Sequence, residues 1–152
     1  MESLFVKYNQ ALDLKEIGFD EPCFGYYGFN NIEDKLFFDI DPDDGELTSL
    51  NQNQFYHNNL SEVGRVSAPL KQQAFRWFRD KHQLFYTVET NCSQLSFEWG
   101  FDYTIYDKEK DKWLSTEPQN CPPGETTYKT YEEAESDCIN KLIEIVKKPL
   151  VN

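Results

Sequence analysis

The sequence predicts an α+β fold in a single domain that spans residues 1–152. Three observations predict it. Residues 96–106 alternate between apolar and polar side chains, which is typical of a strand with one buried face. Two further segments, 69–81 and 130–148, repeat apolar residues at helical spacing. We therefore expect an antiparallel sheet of about three to five strands packed on helices, with a helix-strand-strand-helix layer at the C-terminal end.

The last helix has the clearest signature. Thr130 and Glu133 fit a capping box, in which each side chain bonds the backbone amide of the other. Acidic residues in the first turn and lysines in the last turn match the helix dipole, and Pro149 marks the end. The predicted apolar stripe consists of Ala134, Cys138, Leu142, Ile145 and Val146.

Two more helices are expected upstream. One covers Pro69–Lys81, with Ser67 as a cap just before it, because proline suits a first helical turn and serine suits a cap. The other covers Asn9–Ile17 and ends at Gly18, a residue that adopts the left-handed conformation at little cost.

The strands are expected to pair with their neighbours along the chain. Leu84–Thr90 and Lys112–Ser115 flank the alternating strand Ser96–Tyr106, and short connections favour antiparallel pairing. In the first half, a hairpin is expected from Phe24–Phe29 and Lys35–Ile40.

The negative charge is unevenly placed along the chain. The net charge is −12, and residues 1–50 hold twelve acidic and three basic side chains, a net −9. Residues 51–100 carry +1 and residues 101–152 carry −4. Such a field repels nucleic acid and most membrane surfaces and attracts basic proteins. We therefore expect a basic protein partner, no direct nucleic-acid binding and no membrane binding.

The N-terminal sequence favours a cytoplasmic location. It lacks a basic segment followed by a long apolar run, which a secretory signal needs. Mean hydropathy is −0.72, and no apolar run approaches the length that spans a bilayer.

The four cysteines are expected to be thiols. None belongs to a C-x-x-C pair, although two disulfides remain the alternative. Cys23 is the candidate nucleophile, but Asp20 and Glu21 would raise its pKa and reduce its reactivity. A zinc site is disfavoured because the candidate ligands are scattered singly: His57, His82, Cys92 and Cys121.

An acidic loop is the main candidate for cation binding. Asp39, Asp41 and Asp43 fit positions one, three and five of a calcium loop. Position six should be glycine and is Asp44, and position twelve should be glutamate and is Leu50. The pattern favours a solvated acidic turn, with a Ca²⁺ or Mg²⁺ site as the weaker alternative.

The same region is the predicted partner-binding surface, because it joins the densest negative charge to aromatic side chains. We expect no cofactor and favour a non-enzymatic binding protein, with a small metal- or carboxylate-dependent enzyme as the alternative. The predicted contact residues are Asp39, Asp41, Asp43, Asp44, Glu46, Tyr26 and Tyr27.

A basic run lies on the second predicted helix and includes Lys71, Arg76, Arg79 and Lys81, with Trp77 and His82 beside them. It could bind a phosphate or a base, but a solvated helix side is favoured because the overall charge is negative. It could also complement the acidic residues 1–50, which we call the acidic third, within the chain or across a homodimer.

Three short stretches carry a resemblance, in matching order along the chain: Gly18–Cys23 before Tyr26 and Tyr27, Ser67–Leu70 followed by Trp77–His82, and Tyr128–Ala134. They resemble small uncharacterised proteins of bacteriophages and prophages. The resemblance implies an accessory protein of a mobile element that acts inside a bacterial cell. It also implies that a nucleic-acid-binding host protein is a plausible basic partner, while no catalytic residue carries over.

Overall fold

The structure is a computed structural model that describes residues 2–28, 35–38, 66–92, 99–115 and 128–148. It has an α+β fold, as the sequence predicts, and its strands form two three-stranded antiparallel sheets. The backbone divides into two compact units, Met1–Gln73 and Ala74–Asn152. A single domain over residues 1–152 stays a prediction. No helix in the described ranges is long and apolar enough to cross a bilayer.

The described residues of the first unit form one complete α-helix, one sheet and the first residues of a second α-helix. A 3₁₀ turn at Glu2–Leu4 precedes helix α1, and strand β1 lies between β2 and β3, antiparallel to both. The predicted hairpin of β1 and β2 is therefore confirmed. The elements are α1 (Tyr8–Glu16), β1 (Gly25–Tyr27), β2 (Leu36–Phe38) and β3 (Val66–Ala68).

Helix α1 begins one residue earlier than predicted and stops where glycine was expected to stop it. Gly18 has a φ of +90°, a conformation that residues with a Cβ adopt only with strain. The Phe19 amide then donates to the Leu14 carbonyl at 2.9 Å, which closes the helix end. Ala11 and Leu14 are fully buried, and α1 packs against β3.

Ser67 is not a helix cap, and that prediction is wrong. It lies in β3 opposite Tyr26, where the hydrogen-bonded ladder holds it in extended conformation. Helix α2 begins only at Lys71. Pro69 stays outside the helix, and its carbonyl accepts a hydrogen bond from the Val6 amide at 3.1 Å.

Most of the second unit follows the predicted order of helix, strands and helix. Helix α2 starts in the last residues of the first unit and continues into the second. The three strands form an antiparallel sheet in the order β4-β5-β6, as predicted. The elements are α2 (Lys71–His82), β4 (Leu84–Cys92), β5 (Trp99–Asp107), β6 (Lys112–Ser115) and α3 (Tyr131–Lys147).

Helix α3 covers one face of this sheet. Tyr103 and Ile105 of β5 are buried on that face, and α3 packs against β4 and β5. We call this side of the sheet the inner face. The buried apolar side chains of α3 are Ala134, Cys138, Ile139, Leu142 and Ile143. The predicted stripe is thus confirmed at its centre, whereas Ile145 and Val146 are only half-buried.

Trp99 departs from the prediction that it belongs to the buried face. It alternates in phase with Tyr103, yet its side chain is 75% exposed. The exposure of Trp99 follows from its position on the strand. Phe101 contacts Tyr131, the first residue of α3, edge-on, with ring centroids 6.0 Å apart. Trp99 lies two residues further along the strand, past the start of the helix.

The predicted capping box is present at the start of α3. The Glu133 amide donates to the Thr130 hydroxyl at 3.2 Å, and the Thr130 amide donates to the Glu133 carboxylate at 3.2 Å. Both amides would otherwise lack a partner in the helix, so the box satisfies two donors at once.

Replacing Thr130→Ala should lower the free energy of unfolding by about 1 kcal/mol, because the Glu133 amide loses its acceptor. Thr130→Ser keeps the hydroxyl and should stay close to the original stability. Urea denaturation followed by circular dichroism measures both. Equal losses in the two variants would contradict the assigned role of the hydroxyl.

Candidate functional site

The predicted acidic site falls outside the described residues. Its members there are Asp39, Asp41, Asp43, Asp44 and Glu46. The cation site proposed for Asp39, Asp41 and Asp43 therefore stays a hypothesis. Within the described ranges, no three His, Cys, Asp or Glu side chains lie close enough together to hold a metal ion.

Tyr26 and Tyr27 sit on opposite sides of β1 and have different environments. Tyr26 is half-buried and stacks on Phe37 of β2, with ring centroids 5.6 Å apart, and the Lys35 ammonium lies 5.3 Å from the Phe37 ring. Tyr27 is only 6% exposed, and its hydroxyl donates to the Val6 carbonyl at 2.5 Å. The alternation of the strand turns this ring into the first unit, so it offers little exposed surface, and its predicted role as a partner contact stays a prediction.

The two cysteines with described side chains are buried free thiols, as predicted. Burial, with a smaller contribution from Glu21 and Asp20, raises the pKa of the Cys23 thiol. Its Sγ lies 3.3 Å from the Glu21 carbonyl oxygen. Burial likewise raises the pKa of Cys138. A raised pKa leaves little thiolate, so both thiols are poor nucleophiles.

Helix α2 presents only part of the predicted basic run to solvent. Arg76, Arg79 and Lys81 are exposed, and Arg79 pairs with its neighbour Asp80 at 2.9 Å. Lys71 is buried instead, and Trp77 is 4% exposed. Trp77 therefore belongs to the core and offers no ring on which a nucleic-acid base could stack.

His82 is the last residue of α2, and its imidazole packs among aromatic rings. Its ring meets Trp77 edge-on at 4.7 Å and lies 6.2 Å from Phe78. The Nε2 atom is buried, and no described group hydrogen-bonds to it. Burial lowers the pKa of His82, and Glu109 offsets part of that effect.

Between helix α3 and the inner face of the second sheet, two tyrosines share one carboxylate. Tyr103 of β5 and Tyr128 both donate to the same Asp137 oxygen, at 2.9 and 2.5 Å. Their rings stack at 5.9 Å. Burial, then the bond to Asp137, raises the pKa of Tyr128. Because Asp137 lies on α3, this cluster joins helix to sheet, and its role is structural.

The other side of the second sheet, which we call the outer face, carries an aromatic row. Tyr106 stands between Phe85 on β4 and Trp113 on β6, since the register pairs it with both. The ring centroids lie 6.5 Å apart for Phe85–Tyr106 and 4.9 Å apart for Tyr106–Trp113. Trp113 is 65% exposed.

Polar and acidic side chains continue the outer face along the strands. Thr87 and Thr104 face each other at 2.7 Å, and Glu89 pairs with Asp102 in the next row. Thr87 also donates to Glu89 at 3.1 Å. Asp102 accepts from the Asn91 amide at 2.9 Å.

This face is not among the sites predicted from the sequence. The alternation of β5 indicates its polar side, but not the ring that β6 adds to it. The signal was the turn at residues 108–111, because its length pairs Asp107 with Lys112 and so places Trp113 opposite Tyr106.

Comparisons with known proteins give no relative for this chain. No family model, curated protein sequence or solved structure matches it.

Replacing Tyr128→Phe should lower the free energy of unfolding by about 1 to 2 kcal/mol, because a partly buried carboxylate loses a donor. Tyr106→Phe is the matched control, since Tyr106 donates to Asp111 at 2.6 Å in an exposed position and should cost much less. Chemical denaturation compares the two variants. A loss for Tyr106→Phe as large as that for Tyr128→Phe would refute the distinction.

The lowered pKa of His82 predicts a pH dependence of stability. Because burial holds the pKa of His82 in the folded protein below the ordinary histidine value of 6.5, the unfolded chain takes up the proton first on acidification. The contribution of the neutral His82 imidazole to stability is complete above the pKa of the unfolded chain and is lost as the pH falls through the folded-state pKa. His82→Gln should therefore lose less stability than the original protein between about pH 7.5 and about pH 5.

Denaturant unfolding at each pH measures this difference. Titration of the His82 imidazole by NMR should give a midpoint below that of a histidine in water. A midpoint above it would contradict the assigned environment.

Proposed function

We propose that this protein is a non-enzymatic acidic interaction protein that binds a basic protein partner. The observation that carries the proposal is the net charge of −12, of which −9 falls within residues 1–50. A local field of this kind attracts cationic surfaces over distances near the Debye length and speeds their association.

The hairpin of β1 and β2 supports a binding role for the acidic third. Strand β2 ends at Phe38, and the acidic segment that begins at Asp39 follows it in the sequence. Tyr26 and Phe37 stack beside that point, and Lys35 already places a cation over the Phe37 ring. Aromatic faces of this kind attract ammonium and guanidinium groups.

The chemistry of the described side chains favours binding over catalysis. The thiols of Cys23 and Cys138 have raised pKa values, and the carboxylate of Asp137 is engaged by two tyrosines. Neither arrangement resembles an activated nucleophile with its base.

The cellular setting of the proposal comes from the resemblance to bacteriophage and prophage proteins. A mobile-element protein in the bacterial cytoplasm meets abundant basic host proteins that bind nucleic acid. An acidic surface can occupy the cationic groove of such a protein and so inhibit or modulate it.

The proposal predicts salt-dependent binding of a basic probe. Calorimetry with an arginine-rich peptide should show binding at about 50 mM NaCl that weakens several-fold at about 500 mM, because salt screens exposed charges. A glycine-serine peptide of equal length should show none. Absence of binding at the lower salt concentration would refute the proposed function.

The position of the charge is tested by a pair of double variants. Asp43→Asn with Asp44→Asn should slow association of the peptide more than Glu109→Gln with Glu132→Gln, although both change the net charge equally. Stopped-flow fluorescence measures the association rate. Equal rates in the two variants would show that only total charge matters and would remove the acidic third as the attracting region.

A further inference from the structure

The outer face of the second sheet combines exposed aromatic rings with carboxylates. Its aromatic row crosses all three strands through Phe85, Tyr106 and Trp113. Tyr106 and Trp113 lie 4.9 Å apart with their planes at 39°, so the indole is supported from one side. The 65% exposure of Trp113 leaves much of the indole open to a ligand.

One carboxylate borders this row, and two others lie further along the outer face, beyond Thr87 and Thr104. Asp111 accepts the Tyr106 hydroxyl at 2.6 Å, and this bond is the main reason why the pKa of Tyr106 is raised. Glu89 and Asp102 face each other on neighbouring strands, an arrangement in which like charges repel. Neither Glu89 nor Asp111 forms an ion pair with any residue that the structure describes.

No position of the outer face on the described strands carries a lysine or arginine. A cation supplied from outside would be attracted by both carboxylates, since Glu89 and Asp102 face each other across the two strands. The cation would also meet the aromatic face of Trp113 and the hydrogen-bond acceptor of Asp111. These are the two groups that an arginine side chain engages together, by stacking and by charge-assisted hydrogen bonds.

We infer that the outer face is the docking surface for an extended, arginine-containing segment of the basic partner. One guanidinium stacks on Trp113 beside Asp111, and a second cation lies between Glu89 and Asp102. Tyr106 and Asp102 are four residues apart on β5, about 13 Å along the strand. The segment therefore carries its two cations about four residues apart.

This inference rests on the proposed function and adds the contact surface to it. Long-range attraction by the acidic third sets the association rate, whereas contacts on the outer face set the lifetime of the complex. Single-stranded nucleic acid also stacks on exposed rings, but Glu89, Asp102 and Asp111 would repel its phosphates.

The experiment uses the full chain and a peptide about nine residues long that carries two arginines four positions apart in a glycine-serine background. Calorimetry at low salt should show binding by the original protein. Trp113→Ala should weaken it between about twofold and about thirtyfold, the range of a cation–π contact. Glu89→Gln with Asp102→Asn should weaken it and reduce its salt dependence.

Matched controls separate this surface from general effects. Trp99→Ala removes an indole that is 75% exposed but lies in phase with the inner face, so peptide affinity should be unchanged. Glu132→Gln removes an exposed acid of α3 and should also leave affinity close to the original. Circular dichroism and the melting temperature of each variant show whether it is folded.

The outcomes distinguish the two proposals. Undiminished peptide binding by folded Trp113→Ala would overturn the docking surface and leave the proposed function standing. Failure of the original protein to bind this peptide, while it still binds the arginine-rich peptide, would overturn the docking surface alone, and failure to bind either peptide would overturn both. Tighter binding of a neutral glucan hexasaccharide or of a single-stranded oligonucleotide than of the peptide would overturn the docking surface as described. The docking surface would also be overturned if sedimentation showed the original protein to be a dimer and Trp113→Ala to be a monomer.

Discussion

Strand β5 is hydrogen-bonded on both sides, to β4 along its whole length and to β6 at its C-terminal end. Alternation along this strand separates the inner face from the outer face. Tyr103 and Ile105 turn towards α3, whereas Asp102 and Tyr106 turn away from it. A slip of one residue would exchange these sets and could bury Asp102 in place of Tyr103 and Thr104 in place of Ile105, so the apolar core fixes the register.

Much of the second unit follows from local signals in the sequence. The capping box at Thr130 and Glu133 needs only backbone amides one turn away, so pattern alone identifies it. The period of two in β5 and the turn after Asp107 are also local. Such features depend on neighbours along the chain, and the structure places them where the sequence predicts.

The errors arise where distant segments decide the outcome. Ser67 has the chemistry of a helix cap, but pairing with β1 makes it part of a strand. Tyr27 is turned inward by the alternation of β1, and its hydroxyl donates to the Val6 carbonyl, a partner twenty-one residues away. Composition and spacing do not contain these pairings.

The account of function joins two features of different range. In the proposed function, the acidic third attracts the partner over a distance through its net charge, and the predicted contact residues in segment 39–46 belong to it. In the further inference, the outer face binds the partner through Trp113, Asp111, Glu89 and Asp102. Sequence alone indicated the first feature, whereas the second required the register of three strands.

The most direct test of this account is a map of amide and indole chemical shifts in the NMR spectrum during titration with the two-arginine peptide. The account predicts the largest changes at the Trp113 indole and along β4, β5 and β6 at outer-face positions, with little change at the Trp99 indole. Changes confined to the basic side of α2, or spread without preference for the outer face, would contradict it.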